Sequence, residues 1–473
     1  MSMTPEPRLS AAEEVAALIR RARAAQAEYE RWPQERIDDA AVACGWAIMK
    51  PANNRALAEM AVRDTGLGSV ADKVLKNHRK TLGLLRDIKG VRTVGVIAEY
   101  PERGVTEIAR PVGVVAAITP STNPAATPAN QIINALKCGN AIILAPSPKG
   151  HSTCEALLGY VHAELARVGA PSDLVQLLPS PVTKEATYEL MRQADLIAAT
   201  GSQANIRAAY SSGKPAIGVG QGNVVSIVDA SADVADAAAK IARSKTFDNA
   251  TSCSSENSVV ILASVRDAML RELAAQGGVM LDAAEKAQLQ ALMFPGGKLG
   301  PAATAQSAPR ISALAGLERP AVREARFLMV EETGTGPAFP FSGEKLAPVL
   351  TVYTSRDFDE ACALTRRIYD YQGKGHSVSL HARDDAHALR LGIELPVARV
   401  IVNQAHCIAT GGSFDNGLPF SLSMGCGTWG GNSFSDNMHW RHFLNITRIA
   451  RPIPERVPDE DEIFGAYRAK YGS

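Results

Sequence analysis

The sequence has no Cys-x-x-Cys pair, no run of basic residues and no apolar stretch long enough to cross a bilayer. Each absence removes a class of protein. The seven cysteines, at 44, 138, 154, 253, 362, 407 and 426, are scattered and odd in number, which argues against a disulfide framework or a cysteine-built zinc site and points to a reducing cytoplasm. Charge of neither sign is in excess. With 50 Lys+Arg against 49 Asp+Glu the chain has no electrostatic footprint for nucleic acid or an anionic membrane, so small-molecule partners are expected. The opening "MSMTPEPRLSAAEEVAALIRRARAAQ" alternates charges where a signal peptide needs an apolar core. The dinucleotide fingerprint Gly-x-Gly-x-x-Gly between strand and helix is absent as well.

What is present is α/β patterning on a large scale. A chain of 473 residues exceeds what one core usually organises, leaving room for about two or three domains. From Ser10 to about Ala61 apolar residues recur at helical spacing, with Ser10 placed to cap and Glu13 to complete a capping box. "VRTVGVIAEYPERGVTEIAR", Val91 to Arg110, reads as a protruding hairpin around Pro101-Glu102-Arg103-Gly104. The stretch "PVGVVAAITPSTNPAATPANQIINALKCGNAIILAPSP" is a buried strand, a Pro-broken loop, a helix and another buried strand, a βαβ unit. Similar alternation continues to about Asp229, and a second α/β stretch runs from about Ser231 to Asn445. Residues 297–316, rich in Gly, Ala, Pro and Ser, read as a loop, and "RIARPIPERVPDEDEIF" reads as an extended C-terminal arm.

Several short motifs could carry chemistry, each with an ordinary alternative. "GVGQGN", Gly218 to Asn223, precedes a strand and reads as a tight turn rather than a phosphate cradle. Thr200-Gly201-Ser202 ends a β-run and opens a helix, where free N–H groups receive a pyrophosphate, although a Ser N-cap explains it equally well. Cys253, in "FDNATSCSSEN", is either a nucleophile or a buried structural thiol, whereas Cys44 and Cys362 lie in amphipathic helical patterns and read as core. His439 and His442 in "HWRH" lack a third ligand in the sequence and read as a solvated surface, so no metal is expected.

Taken together, Asn123 in "TPSTNP", Thr200-Gly201-Ser202, Cys253 and Glu344 in "GEKLAPVL" occur in the order and rough spacing of the aldehyde dehydrogenase superfamily. The likeness extends over nearly the whole chain. "PVGVVAAITPSTNP", "AAYSSGKPAIGVGQGN", "FDNATSC" and "MGCGTWGGNS" resemble its CoA-acylating branch in particular. The resemblance implies a Rossmann-like NAD(P)-binding domain over 1–90 and 111–230, a catalytic α/β domain over 231–445, and an oligomerisation hairpin with a C-terminal arm over 91–110 and 446–473. It also implies a homodimer or homotetramer. Cys253 takes the nucleophile's role, and Asn123 with the Cys253 N–H forms the oxyanion hole. Thr119, Pro120 and Ser121 lie along the cofactor, NAD or NADP, Thr200, Gly201 and Ser202 lead into the helix beneath its pyrophosphate, and Glu344 holds the nicotinamide ribose.

Two departures from the hydrolytic members sharpen this expectation. Where those carry a lysine for the adenosine ribose, this chain has Ala145-Pro146, and where they carry a glutamate general base, the turn "AIGVGQGN" contains no acid. Water, of pKa about 15.7, needs a positioned base to release a thioester; a thiol of pKa about 8.5 does not. Thiolysis by coenzyme A is therefore expected. The chain is most similar to sulfoacetaldehyde-type members, with acetaldehyde and succinic semialdehyde as alternative substrates. A hydrolytic aldehyde dehydrogenase and a non-enzymatic scaffold of the same fold are the rival readings.

Overall fold

A computed structural model of the chain describes residues 10–472; residues 1–9 of the opening segment set against a signal peptide lie outside them. Helices Ala11–Tyr29, Gln34–Met49, Pro51–Thr65 and Val70–Ile88 come first. The Ser10 hydroxyl accepts the Glu13 N–H at 3.3 Å while the Glu13 carboxylate accepts the Ser10 N–H at 2.9 Å, closing the expected capping box.

Ala11–Tyr29 packs directly on a five-stranded parallel sheet ordered 175–177, 141–146, 114–119, 196–200, 216–219, and the other three pack on Ala126–Lys137 and His151–Arg167, helices that cover it. Val114–Thr119 and Ala141–Pro146 are buried at every position, which explains their unbroken apolar spelling: a parallel sheet with helices on both faces has no wet side. The order reverses beside Val114–Thr119, from which the chain steps one way to 141–146 and later the other way to 196–200. Loops leaving the carboxyl ends of two such strands diverge and open a crevice. Residues 120–125 and 201–202 are those loops.

A seven-stranded sheet, parallel throughout, is ordered 278–280, 327–331, 349–355, 256–262, 224–228, 378–381, 400–402. Val224–Val228 pairs with Glu256–Leu262, so the change of sheet falls between Val219 and Val224 and not at 230 as expected. The loops before Val224, Glu256, Val349 and Val378 all leave the amino ends of parallel strands and therefore share one edge. The far end of the catalytic stretch also departs from expectation: Phe420, Met438 and Phe443 pack into the first core, returning the chain to the cofactor side before residue 445. Within 297–316 the structure corrects the loop reading. Ser307 caps a short helix, Ala308–Leu314, because Ala308 and Ile311 fall on one face and are buried.

Gly95–Tyr100 and Val105–Pro111 form the expected hairpin, and Leu444–Ala450 adds a third antiparallel strand beside Val105–Pro111. The C-terminal helix Glu460–Tyr471 buries none of its residues, and Ile453, Val457, Ile463, Phe464 and Tyr467 are exposed along the arm. Among the described residues no helix is long and apolar enough to cross a membrane.

Candidate active site

Cys253 follows an unusual piece of backbone. Asp248, Asn249 and Ala250 have φ of 51°, 50° and 58°, a left-handed run costing of order 1–3 kcal/mol per non-glycine residue. Asp248 provides the restraint: its carboxylate accepts Lys76 Nζ at 2.5 Å, Lys73 Nζ at 3.1 Å, the Thr251 hydroxyl at 2.7 Å and the Ser69 N–H at 2.8 Å. Burial alone would raise this carboxyl, but Lys76 and Lys73 outweigh it and hold it below its ordinary value. The loop of one unit is thereby clamped to helix Val70–Ile88 of the other.

A cleft of about 410 Å³ lies between the units. Pro120, Ser121 and Asn123 line it from one diverging loop, Thr200, Gly201 and Ser202 from the other, and Cys253 and Glu344 from the facing sheet edge. Thr119 differs from expectation: as the last residue of a strand buried on both faces, it lies behind the wall, its hydroxyl unpaired. The Ser202 hydroxyl accepts the Asn205 N–H at 3.4 Å, so Ser202 is the N-cap of Gln203–Tyr210, and the helix's free N–H groups end at the cleft. The Glu344 carboxylate accepts the Gly222 N–H at 3.2 Å, and burial pushes its pKa up to about 8. Gly222 has no room for a side chain, since a Cβ there would lie 2.3 Å from the Cys253 carbonyl oxygen. Where "GVGQGN" suggests a tight turn, residues 220–223 instead form an irregular connection from strand Ala216–Val219 of the first sheet to Val224–Val228 of the second.

The Asn123 amide is oriented. Its Oδ1 accepts Lys76 Nζ at 2.8 Å, and its Nδ2 has only a long 3.5 Å contact to Thr122, which leaves an N–H free in the cleft that Cys253 also lines. The sulfur of Cys253 is 3.3 Å from His376 Nε2, and His376 Nδ1 is 2.7 Å from the Ser377 hydroxyl. Burial and then the Glu344 charge push the Cys253 thiol up to about 12. Burial, with Arg399 nearby, drives His376 well below its ordinary value. The pair rests as thiol and neutral imidazole, with the ring nitrogen within reach of the thiol.

The segment 216–223 has no acid, as the sequence indicates, and the residue the sequence reading missed is His376, from "GKGHSVSL", whose ring stands beside the thiol; a lone histidine ahead of a strand carries no periodic or spacing signal. Arg399, buried, donates to the carbonyls of His376 and Gly425 at 2.9 and 2.8 Å and to Asn437 at 2.8 Å, fixing that loop. Lys76 was equally invisible, sitting within an ordinary amphipathic helix. His439 and His442 are not a solvated surface, being 15% and 16% exposed, and each hydrogen-bonds a different oxygen of Asp436, at 3.2 and 3.0 Å. Cys44 and Cys362 are core, as read; Cys407 borders the cleft, but its thiol donates to the Ser244 carbonyl and burial pushes it up to about 12.

Residues 4–319 match the model of the aldehyde dehydrogenase family. The chain belongs to that family. Across all of its length, and 96% of the relative's, it is 66% identical to a protein of Cupriavidus necator named sulfoacetaldehyde dehydrogenase (acylating). It is 37% identical to the succinate-semialdehyde dehydrogenase (acetylating) of Clostridium kluyveri, over 95% of this chain and 98% of that one. Among solved structures, an acetylating aldehyde dehydrogenase from Geobacillus thermoglucosidasius superimposes with a TM-score of 0.91 at 36% identity, covering 95% of this chain and 98% of the other. The aldehyde dehydrogenase architecture accounts for the two facing sheets and for the hairpin that stands apart from them.

Proposed function

We propose that this protein is a CoA-acylating, NAD(P)-dependent aldehyde dehydrogenase whose substrate is sulfoacetaldehyde. The observation that carries the chemistry is that Cys253 and the oriented Asn123 amide line one inter-unit cleft, with His376 in contact with the Cys253 sulfur from behind that lining. The substrate reading rests on the Cupriavidus necator relative, whose printed name fits a chain this similar from end to end.

The residues fit a dinucleotide. A helix N-terminus opens on the cleft at Ser202, and the Glu344 carboxylate faces the same space with a single backbone donor, free to accept ribose hydroxyls. Thr200, Gly201, Ser202, Pro120 and Ser121 would hold the cofactor, with Glu344 on its ribose. A bound nicotinamide supplies the hydride acceptor. On the protein side, His376 takes the proton as the Cys253 sulfur adds to the aldehyde carbon, and the Asn123 amide with the Cys253 N–H receives the developing alkoxide. Loss of hydride from that carbon would leave a thioester on Cys253, which a thiol releases. Gly220 and Gln221 line the cleft where hydrolytic members carry their acid, and neither activates water.

The same reading makes the protein a cytoplasmic homo-oligomer. It is supported by seven free cysteines, and by a hairpin edge and C-terminal helix whose apolar side chains have no cover in one chain. The experiment for the activity is an aldehyde panel assayed with and without CoA and with each nicotinamide. NAD(P)H formation that needs CoA supports the acylating reading; steady formation without CoA would replace it with the hydrolytic one.

A further inference from the structure

Beyond Asn123 and Ser252 the cleft continues into a recess of about 60 Å³, which shares Lys80, Asn123, Ser252, Cys407 and Leu422 with it and contains none of the cofactor-side residues. Its lining carries Lys76, Arg79, Lys80 and Arg243 and no acidic residue. Positions 76, 79 and 80 share a face of helix Val70–Ile88, and Arg243 comes from Val234–Thr246. Lys76 is already matched by Asp248. The other three are not: Arg79 donates to the Ser413 hydroxyl, Lys80 to the Gly411 carbonyl, and among the described residues none of the three pairs with a carboxylate. Asp415, exposed and outside the recess, attracts Arg79 and Arg243 from a distance. Burial and the Arg243 charge lower Arg79, while burial, Arg79 and Lys76 push Lys80 down to about 7. Like charges held together at a cost, around a small space contiguous with a nucleophile, mark a seat for an anion.

We propose that this recess receives the anionic end of the substrate, and that Arg79, Lys80 and Arg243 select an aldehyde bearing a three-oxygen anion on the carbon next to the carbonyl. The proposal rests on the acylating aldehyde dehydrogenase reading and specifies which side chains read the substrate. A sulfonate is permanently charged and presents oxygens in three directions, matching cations that arrive from two helices; a carboxylate presents two oxygens in one plane. Leu75, Phe247, Ile408 and Leu422 complete the wall.

The same cations could read phosphates of CoA, and the test separates the two. Arg243→Gln, an exposed position that folding should tolerate, and Lys80→Met are assayed with sulfoacetaldehyde and with propionaldehyde, a neutral aldehyde of similar length, under varied CoA. The ratio of kcat/KM for sulfoacetaldehyde over propionaldehyde should fall at least tenfold through a raised KM, with KM for CoA unmoved. Ethanesulfonate should compete with aldehyde in the wild type and lose at least tenfold in affinity in Arg243→Gln. Equal losses on both aldehydes, or a shift confined to the KM for CoA, would overturn the assignment. A wild type that oxidises no aldehyde with CoA refutes the activity itself; one that acylates CoA from propionaldehyde and sulfoacetaldehyde equally well refutes only the anion seat.

Discussion

The ammonium of Lys76 donates to Oδ1 of Asn123 at 2.8 Å, and this contact decides which end of the amide faces the nucleophile. An amide reversed by rotation would present an oxygen to an alkoxide. Because the same ammonium binds Asp248 and the Thr251 hydroxyl, the oxyanion donor and the cysteine loop are positioned from one point.

Lys76→Met should therefore lower kcat by roughly ten- to hundredfold with little change in the KM for aldehyde, as a misplaced donor does. Asn123→Ala should cost about two to three powers of ten in kcat. In the double variant the two losses should not add, since an absent amide cannot be misoriented. Full additivity would mean that Lys76 acts only through Asp248.

The His376–Cys253 pair predicts a pH profile. Both groups are uncharged near neutrality, because burial raises the thiol and lowers the imidazole. As pH falls, activity is lost only when the ring protonates, and that pKa lies below the ordinary histidine value of about 6.5. The acylation rate should consequently stay flat through pH 6.5 and decline below it. His376→Ala should slow acylation by about 10² to 10⁴ at pH 7 and recover partly at alkaline pH, where the thiol begins to ionise by itself. An acid limb centred at 6.5, or no alkaline recovery, would remove His376 from this role.

How much of this was legible in the sequence follows from where each signal resides. Cys253, Asn123, Glu344 and the Thr200-Gly201-Ser202 turn lie in loops whose composition is odd enough to be noticed, and the structure gathers all of them around one cleft. Their relation comes from sheet geometry: two loops diverging at a strand-order reversal, facing the amino ends of a second sheet. His376 and Lys76 could not be found this way. One is a single histidine before a buried strand, and the other is a lysine in a helix whose polar positions look solvated, although it is only 5% exposed. The sheet boundary was missed because Val224–Val228 is spelled like the strands before it.

Assembly should be measurable directly. The C-terminal helix exposes Ile463, Phe464, Tyr467 and Tyr471 without a buried residue, and Gly95–Tyr100 is an open sheet edge. Sedimentation should show a dimer or tetramer at micromolar concentration. Ile463→Asp with Phe464→Asp should shift it toward smaller species, while a well-behaved wild-type monomer would contradict the assignment.

The acyl-enzyme prediction tests the release step. With aldehyde and NAD(P)⁺ but no CoA, the enzyme should give a burst of NAD(P)H near one equivalent per competent site, then near silence, because the thioester on Cys253 waits for a thiol. CoA should restart turnover in a ping-pong pattern, and mass spectrometry of the stalled enzyme should place the acyl group on the Cys253 peptide. Cys253→Ala should abolish the burst while cofactor still binds, whereas Cys407→Ser should change stability rather than chemistry, its thiol being engaged by the Ser244 carbonyl. Gly218→Glu, a substitution in strand Ala216–Val219, in the segment where hydrolytic members keep their base, should not create CoA-independent turnover. A Cβ at 218 would lie 3.0 Å from Ile206 and Tyr210, so the carboxylate would enter the packing of helix Gln203–Tyr210 and lower Tm without reaching the thioester. Steady wild-type turnover without CoA would mean that His376 serves water as well as sulfur, and release would then be hydrolytic.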